Sequence, residues 1–189
     1  MLLIALTGMS GSGKDTILKD MVRQQPTIHK CILTTTRPIR EGELDNIDYH
    51  FVSDADFEND NYIYTQCFEV KPGVVWKYGL SKAELEGHEI SAAVLTPYAL
   101  NSGDFGDITV SEWFIGADDK TRLLRQLNRE DQPNCYEICR RFISDKKDFE
   151  DYYIPLRNFI SNDGNKQSYE VARYILDQVR LGLNKSITH

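Results

Sequence analysis

The segment GMSGSGKDT, residues 8–16, has the residue types and spacing of a phosphate-binding loop. Gly8, Gly13 and Lys14 fit the pattern G-x4-G-K, in which backbone N–H groups point at a polyphosphate and the lysine reaches its β and γ oxygens. The N-terminus of the helix that follows adds partial positive charge. The predicted ATP-binding residues are Gly8, Ser10, Gly11, Ser12, Gly13, Lys14, Asp15 and Thr16. Lys14 is also the first candidate catalytic residue.

The position of this loop in the chain supports the assignment. It follows the continuous apolar run LLIALTG, which is typical of a central strand buried on both faces. It precedes a segment whose apolar residues have helical spacing and which stops before Pro26. Strand, loop and helix in this order favour a phosphate-binding loop over an ordinary glycine turn.

Asp15 departs from the usual pattern, which has a serine or threonine magnesium ligand at that place. A carboxylate is also a hard oxygen ligand, and it can hold magnesium directly or through the water that the ion keeps. The Thr16 hydroxyl is next to it. We therefore expect Mg²⁺ to bind with ATP at Asp15 and Thr16.

The segment TTTRPIREGELDNIDYHFVS, residues 34–53, resembles the nucleoside monophosphate segment of guanylate kinases. The resemblance implies that Arg37, Arg40, Tyr49 and Tyr78 bind the phosphate of the acceptor monophosphate. The chemistry agrees, since two arginines offer forked donors to a dianionic phosphate, each worth about 1.5–3 kcal/mol as a charged hydrogen bond. The alternative, two solvated surface arginines, is disfavoured beside a phosphate-binding loop.

A helical lid is implied by the same resemblance. In this family, lid arginines close over the transferring phosphoryl group, and the matching residues are Arg125, Arg129 and either Arg140 or Arg141. Positive charge in an otherwise acidic chain suits phosphoryl transfer, which depends mainly on positioning and electrostatics. A solvated helix face explains some of these arginines equally well.

The departures from the family lie at the positions that read the base. Leu33, Tyr64 and Leu80 stand where guanylate kinases have a serine, a glutamate and a serine. The stretch QCFEVKPGVVWK looks longer than the family's hairpin, so Gln66 or Glu69 could take the place of the glutamate that recognises the base. Because polar readers supply most of the discrimination between bases, the monophosphate class is better supported than guanine itself.

A further departure concerns the acidic residue that the family carries where the strand after the monophosphate segment ends. The segment SAAVLTPYAL, residues 91–100, contains no acid. We hypothesise that Asp15 compensates, so that the carboxylate that orders the magnesium waters has moved to the phosphate-binding loop.

The order of predicted elements indicates an α/β fold, a P-loop parallel sheet flanked by helices on both faces. An inserted monophosphate-binding subdomain is expected over 34–88 and the lid over 128–149. The remaining segments form the core of a single kinase domain, namely 1–33, 89–127 and 150–189. Further strands are predicted over 89–97, 107–118 and 157–163, and further helices over 118–130, 135–150 and 166–183. The helix over 118–130 is expected to place Leu123, Leu124 and Leu127 on one side and its arginines on the other.

Composition limits the possible partners and location. A net charge of −7 and a pI near 5.1 argue against nucleic acid or an anionic membrane as a partner. The apolar start is too short for a signal peptide, and no stretch reaches membrane-spanning length. The four cysteines have no CxxC pair, which favours reduced thiols in the cytoplasm over a zinc site. His29, His50 and His88 are expected to be surface or strand residues, and the chain to be a monomer or homodimer.

The leading functional hypothesis is an ATP-dependent nucleoside monophosphate kinase that forms GDP or dGDP from GMP or dGMP. One alternative keeps the fold and changes the acceptor to another nucleoside or deoxynucleoside monophosphate, or to ribose bisphosphate. A second alternative is a non-catalytic guanylate-kinase-like binding module. The intact phosphate-binding loop disfavours the latter, since an unused anion cradle has no reason to keep its shape.

Overall fold

A computed structural model describes residues 1–40, 42–129, 131–153, 158–164 and 166–186. Glu130, in the helix predicted over 118–130, and Arg157, in the strand predicted over 157–163, lie outside these ranges. Within them, none of the helices combines the length and apolar character needed to cross a membrane.

The elements alternate as expected for an α/β fold. The strands are β1 (Leu2–Thr7), β2 (His29–Lys30), β3 (Thr34–Thr35), β4 (His50–Phe51), β5 (Tyr62–Lys71), β6 (Val74–Ser81), β7 (Ile90–Val94), β8 (Thr109–Gly116) and β9 (Phe159–Ser161). The helices are α1 (Lys14–Gln24), α2 (Asp54–Glu58), α3 (Pro97–Ser102), α4 (Asp119–Leu127), α5 (Cys135–Asp148) and α6 (Ser168–Ser186), with a 3-10 turn over Lys82–Glu84.

Five strands form the main sheet in the order β2-β7-β1-β8-β9, and every pair in it is parallel. The predicted P-loop parallel sheet flanked by helices is therefore confirmed. Strand β1 is buried along its whole length, as its apolar run predicts. Leu2, Ile4 and Leu6 pack on one face with helices α1 and α6, whereas Leu3 and Ala5 face the other side.

The second face of the main sheet is covered differently from the first. Its cluster includes Ala99 of the short helix α3, but also Ile63, Tyr64 and Leu80 from a second sheet. That sheet has the order β4-β3-β6-β5 and lies within the segment expected to be the insert. The insert therefore packs directly against the core, and helix α3, which starts at Pro97, was not predicted because it is only six residues long.

Helix α4 buries a different face from the one that its leucines suggest. Leu124 and Leu127 are exposed, and the buried residue of this helix is Arg122, with 1% of its surface accessible. The expected division into an apolar inner side and an arginine outer side is wrong here. Arg122 is buried because it finds charged and carbonyl partners on the phosphate-binding loop and on α5, as described below.

Helices α5 and α6 agree more closely with the sequence. Helix α5 begins after Asn134, whose side chain accepts a hydrogen bond from the Glu137 N–H at 3.1 Å and so caps the helix. In α6 the apolar stripe of Val171, Ile175 and Val179 is buried against the main sheet, as predicted.

Candidate active site

The phosphate-binding loop connects β1 to α1 and depends on its glycines for two reasons. Gly8, Gly11 and Gly13 have φ angles of 141°, 79° and 95°, which side chains disfavour. A Cβ would also lie 2.2 Å from the Ile115 carbonyl oxygen at Gly8, and 2.5 Å from the Arg122 carbonyl oxygen at Gly11. Contact with β8 and α4 thus excludes side chains at Gly8 and Gly11. The approach of a phosphate to the loop backbone is a further reason for glycine.

Side chains from other elements donate hydrogen bonds to the backbone carbonyls of the phosphate-binding loop. Arg125 donates to the carbonyl oxygens of Gly11 and Ser12, both at 3.3 Å, and to that of Asn162 at 2.9 Å. The Asn162 amide donates to Ser12 O at 2.7 Å. In the described part of the chain, no group accepts a hydrogen bond from the backbone N–H of Gly11, Gly13 or Lys14. The loop is therefore braced on its carbonyl side and keeps N–H donors for an anion.

Lys14 is half-buried, and its ammonium donates to the Met9 carbonyl oxygen at 3.0 Å. Desolvation lowers the pKa of Lys14, while the carboxylates of Asp15 and Asp145 act in the opposite direction. Among the described residues, the ammonium thus has only a backbone carbonyl as hydrogen-bond partner. A polyphosphate bound in the loop would supply stronger, anionic acceptors.

A carboxylate from α5 reaches the same loop. Asp145 accepts hydrogen bonds from the Ser10 N–H at 2.6 Å and from the Ser10 hydroxyl at 3.2 Å. Its other strong partner is Arg122, which donates to it at 2.9 Å and to the Ser10 carbonyl at 3.0 Å. Sequence reasoning missed both residues, since nothing in the pattern of α4 or α5 shows that an arginine and an aspartate 23 positions apart are paired.

Asp15 and Thr16 lie exposed in the first turn of α1. In the described residues, no hydrogen bond or ion pair occupies the Asp15 carboxylate. Burial raises the pKa of Tyr49 to about 12, and the negative charge of Asp15 is the second largest cause of this shift. The Asp15 carboxylate therefore lies on the side of Tyr49. Nearby, the buried Ser12 hydroxyl has no hydrogen-bond partner. Unengaged hard oxygens at a phosphate-binding loop fit a magnesium ion.

The predicted acceptor pocket is built around a buried arginine. Arg37 is 3% exposed, and its guanidinium donates to both oxygens of Glu43 at 2.9 Å. It also lies over the rings of Tyr49 and Phe51, 5.2 and 5.3 Å from their centroids. Glu43 additionally accepts from the Arg40 N–H at 2.9 Å and thereby fixes the turn between the two arginines. Glu43 was not among the predicted site residues, although it lies within the motif.

The remaining acceptor residues line the same wall. The ring of Tyr78 contacts that of Tyr49 edge to face, with centroids 6.0 Å apart. Arg40 is about one third exposed, and its guanidinium is 3.7 Å from the Glu137 carboxylate of α5. Arg37, Arg40, Tyr49 and Tyr78 are thus brought together, with Arg40 facing the lid.

On helix α5, Glu137 binds two of the arginines that the sequence singled out. Arg140 donates to it at 2.7 Å and Arg141 at 2.8 Å. Hydrogen bonds from Arg140, and then those from Arg141, lower the pKa of Glu137 to about 2, although partial burial acts to raise it. Three guanidinium groups, including that of Arg40, therefore converge on one carboxylate. Arg129 lies exposed beyond the end of α4, apart from this group.

Comparisons with known proteins agree with this geometry. A sequence model of the family described as guanylate kinase matches residues 1–69. The guanylate kinase of Sulfurimonas denitrificans is 45% identical over 58 residues, which cover 31% of this chain and 28% of that protein. The guanylate kinase of Helicobacter hepaticus is 42% identical over 69 residues, which cover 35% and 34% of the two chains. The chain therefore spans about a third or less of the length of these relatives.

The fold comparison extends further along the chain. The crystal structure of guanylate kinase from Anaplasma phagocytophilum matches with a TM-score of 0.60 and 21% identity, over 96% of this chain and 85% of that one. Residues 1–69 are therefore similar in sequence to guanylate kinases, and the fold of the described chain is similar to theirs. The sequence match includes the phosphate-binding loop, Arg37, Arg40 and Tyr49, whereas Arg125, Arg129, Arg140 and Arg141 lie beyond it.

The side of the candidate acceptor pocket that the sequence predicts to face the base is apolar. Leu80 is fully buried, Tyr64 is 6% exposed, and Leu33 packs against the same cluster. Alternation along β5 places Gln66 on the face of Tyr64, whereas Glu69 is exposed and accepts a hydrogen bond from the hairpin turn. Gln66 accepts from the Thr96 hydroxyl at 2.8 Å. Of the two candidate replacements for the acidic reader, only Gln66 lies on this side.

Proposed function

We propose that the chain is an ATP-dependent nucleoside monophosphate kinase that transfers the γ-phosphoryl group of ATP to GMP or dGMP. One observation carries the proposal. Helix α5 contacts the donor loop through Asp145 and the acceptor arginine Arg40 through Glu137. These two residues are eight positions apart, about 12 Å along the helix. A single lid element therefore spans two anion sites at a separation suited to a polyphosphate and a monophosphate that face each other.

The residues support direct transfer without a general base. A phosphate oxygen of the acceptor attacks the γ-phosphorus of ATP, the bond to the bridging β–γ oxygen breaks, and ADP leaves with that oxygen. Because the acceptor oxygen is already anionic at neutral pH, no histidine is needed. Lys14 holds the β and γ oxygens, and Arg37 and Arg40 hold the acceptor phosphate. Arg140 and Arg141 neutralise the charge that spreads over the transferring group.

Asp15 and Thr16 are the residues that would hold magnesium, and Ser12 offers a third oxygen. When bound, the ion would supply positive charge that offsets the negative charge of the ATP phosphates. Arg125 braces the loop from its carbonyl side, so its proposed catalytic role is to keep the donor site in shape. The exposed Arg129 is proposed to reach the phosphates only when substrates are bound. The four free cysteines suit a reducing cytoplasm, where we place the protein.

A second acceptor class is favoured by the apolar wall of Leu33, Tyr64 and Leu80. A pocket without charged readers discriminates weakly between bases. Gln66, held by Thr96, offers an amide that can pair with more than one base edge. Other deoxynucleoside monophosphates, or ribose bisphosphate, are therefore the alternative acceptors.

A coupled assay of ADP release tests these acceptors side by side. ATP and magnesium are supplied with GMP, dGMP, AMP, CMP, UMP, dTMP or a ribose phosphate. The proposal expects the highest kcat/KM with GMP or dGMP and a rate without acceptor near background. Highest activity with another acceptor would support the second class, and acceptor-independent ADP release at the full rate would contradict both.

A further inference from the structure

A second cluster of ligand-type side chains lies where the edge of the main sheet meets the insert. His29 lies in strand β2, Cys31 directly follows that strand, and Glu84 lies in the 3-10 turn after β6. One ligand atom from each of the three lies within 4.8 Å of the others. The proposed kinase chemistry uses none of them.

Local structure explains why two of these side chains are adjacent. Residues i and i+2 of an extended strand point to the same face, so the sequence His-Lys-Cys directs His29 and Cys31 together. The Cys31 N–H donates to the Ala92 carbonyl at 2.9 Å, which continues the pairing of β2 with β7 beyond Lys30. The third group, Glu84, lies in a turn capped by the Ser81 hydroxyl.

The distances are close to those of a tetrahedral zinc site. Zinc bonds of about 2.0–2.3 Å to nitrogen, oxygen and sulfur place neighbouring ligand atoms about 3.3–3.6 Å apart. His29 Nε2 and Glu84 Oε2 are already 3.3 Å apart. The Cys31 sulfur lies within 4.8 Å of the other two ligand atoms, so it must approach them by about 1 Å to complete the set.

Neighbouring groups orient the ligands. His50 Nε2 is 3.0 Å from the other Glu84 oxygen, and the Ile32 N–H donates to Glu84 Oε2 at 2.6 Å. The ring of His88 stacks on that of His29, with centroids 3.8 Å apart. Such contacts fix the carboxylate and the imidazole plane in the way that outer partners do at metal centres.

The donor set points to zinc. A thiolate, an imidazole and a carboxylate suit this borderline-soft ion, whereas magnesium and calcium prefer oxygen ligands alone. The two anionic ligands would neutralise the charge of the ion. The side chains of His29 and Glu84 are 28% and 17% exposed, which leaves a route for the ion and room for a water as fourth ligand.

We propose that His29, Cys31 and Glu84 bind one zinc ion that ties edge strand β2 to the insert, with His50 positioning Glu84. The role is structural, because the ion joins two parts of the fold that otherwise meet here through hydrogen bonds. Zinc binding to the folded chain alone raises its stability by mass action. The same residues without a metal would be an ordinary hydrogen-bonded cluster, and the experiment distinguishes the two.

Cobalt spectroscopy of the full chain provides the test, with Co²⁺ as the probe. Cys135 and Cys139 lie one turn apart on α5 and are exposed, so the measurements use a Cys135→Ser background. The chelator-treated protein is titrated with Co²⁺, and a thiolate-to-cobalt charge-transfer band is expected at a stoichiometry of one. Zinc should displace the cobalt and raise Tm by about 5 °C or more.

Two further variants locate the site. Cys31→Ser should abolish the charge-transfer band, and Cys67→Ser, at an exposed cysteine, should leave it unchanged. If Cys31→Ser fails to fold, His29→Gln should weaken Co²⁺ binding at least tenfold. Absence of the band in the background protein, or an unchanged band in Cys31→Ser, overturns the proposal. None of these readouts requires kinase activity, so the outcome is independent of the proposed function.

Discussion

The backbone N–H of Ser10 donates a 2.6 Å hydrogen bond to the carboxylate of Asp145, so the phosphate-binding loop is joined directly to helix α5. The carboxylate is held in place by Arg122, which is buried and also binds the Ser10 carbonyl. These contacts fix the backbone of the loop at Ser10, on the side that faces α5. They also explain why Arg122 of α4 is buried although Leu124 and Leu127 of the same helix are exposed.

Asp145→Asn is expected to destabilise the fold by about 2 kcal/mol, because it weakens a charged hydrogen bond and leaves a buried guanidinium poorly paired. Urea denaturation followed by circular dichroism measures the effect. Asp119→Asn is the matched control, since Asp119 also binds Arg122 but is 55% exposed, and it should cost under about 0.5 kcal/mol. Equal losses in the two variants would show that Arg122 does not depend on Asp145.

Arg37 and Arg40 should respond differently to truncation, although both are predicted to bind the acceptor. Arg37→Ala leaves Glu43 without its bidentate partner and should lower the free energy of unfolding by about 3 kcal/mol. Arg40→Ala, at a partly exposed site, should change stability by under about 0.5 kcal/mol. It should nevertheless raise the KM for the acceptor about tenfold or more. An unchanged acceptor KM in Arg40→Ala would remove this residue from the pocket.

The Glu137 cluster predicts a specific dependence of stability on pH. The arginines hold the pKa of Glu137 near 2, below its ordinary value of 4.5. The stabilisation is therefore complete above pH 4.5 and is lost as the pH falls from 4.5 towards 2. The difference in stability between wild type and Glu137→Gln should shrink over that range. A difference that is constant between pH 6 and pH 3, measured at equal ionic strength, would contradict the ion cluster.

Asp15→Ser tests whether the unusual carboxylate serves the magnesium site. Since Asp15 is exposed and unpaired, stability should be unchanged, but the magnesium concentration that gives half-maximal turnover should rise about tenfold. The readout is ADP formation across a magnesium titration at saturating ATP and acceptor. Full turnover with an unaltered magnesium requirement would end the hypothesis that Asp15 replaces the missing strand-end acid.

Local sequence patterns predict the central part of the fold. Three elements show their burial in the local pattern of apolar residues: the continuous run of β1, the helical spacing in α1 and the stripe of α6. Their burial can therefore be predicted without knowing which elements they pack against. The loop glycines and the acceptor motif are equally local. Family resemblance then adds the expected positions of the lid arginines.

The features that the sequence did not reveal depend on pairs that are distant along the chain. The burial of Arg122 requires Asp145, and the choice of Gln66 over Glu69 depends on which face of β5 meets Leu80. The cluster of His29, Cys31 and Glu84 combines two distant segments. Most of these residues are charged or polar types that favour a solvated surface position, and only tertiary contact changes that expectation.

The most direct test of the kinase assignment follows the γ-phosphoryl group itself. Wild-type protein is incubated with γ-labelled ATP, magnesium and GMP or dGMP, and the nucleotides are separated. The kinase assignment predicts that the label appears in the nucleoside diphosphate. It also predicts that Lys14→Met, shown by circular dichroism to be folded, reduces the transfer rate by about 100-fold or more. Label found only in inorganic phosphate, or equal transfer by the wild type and Lys14→Met, would contradict it.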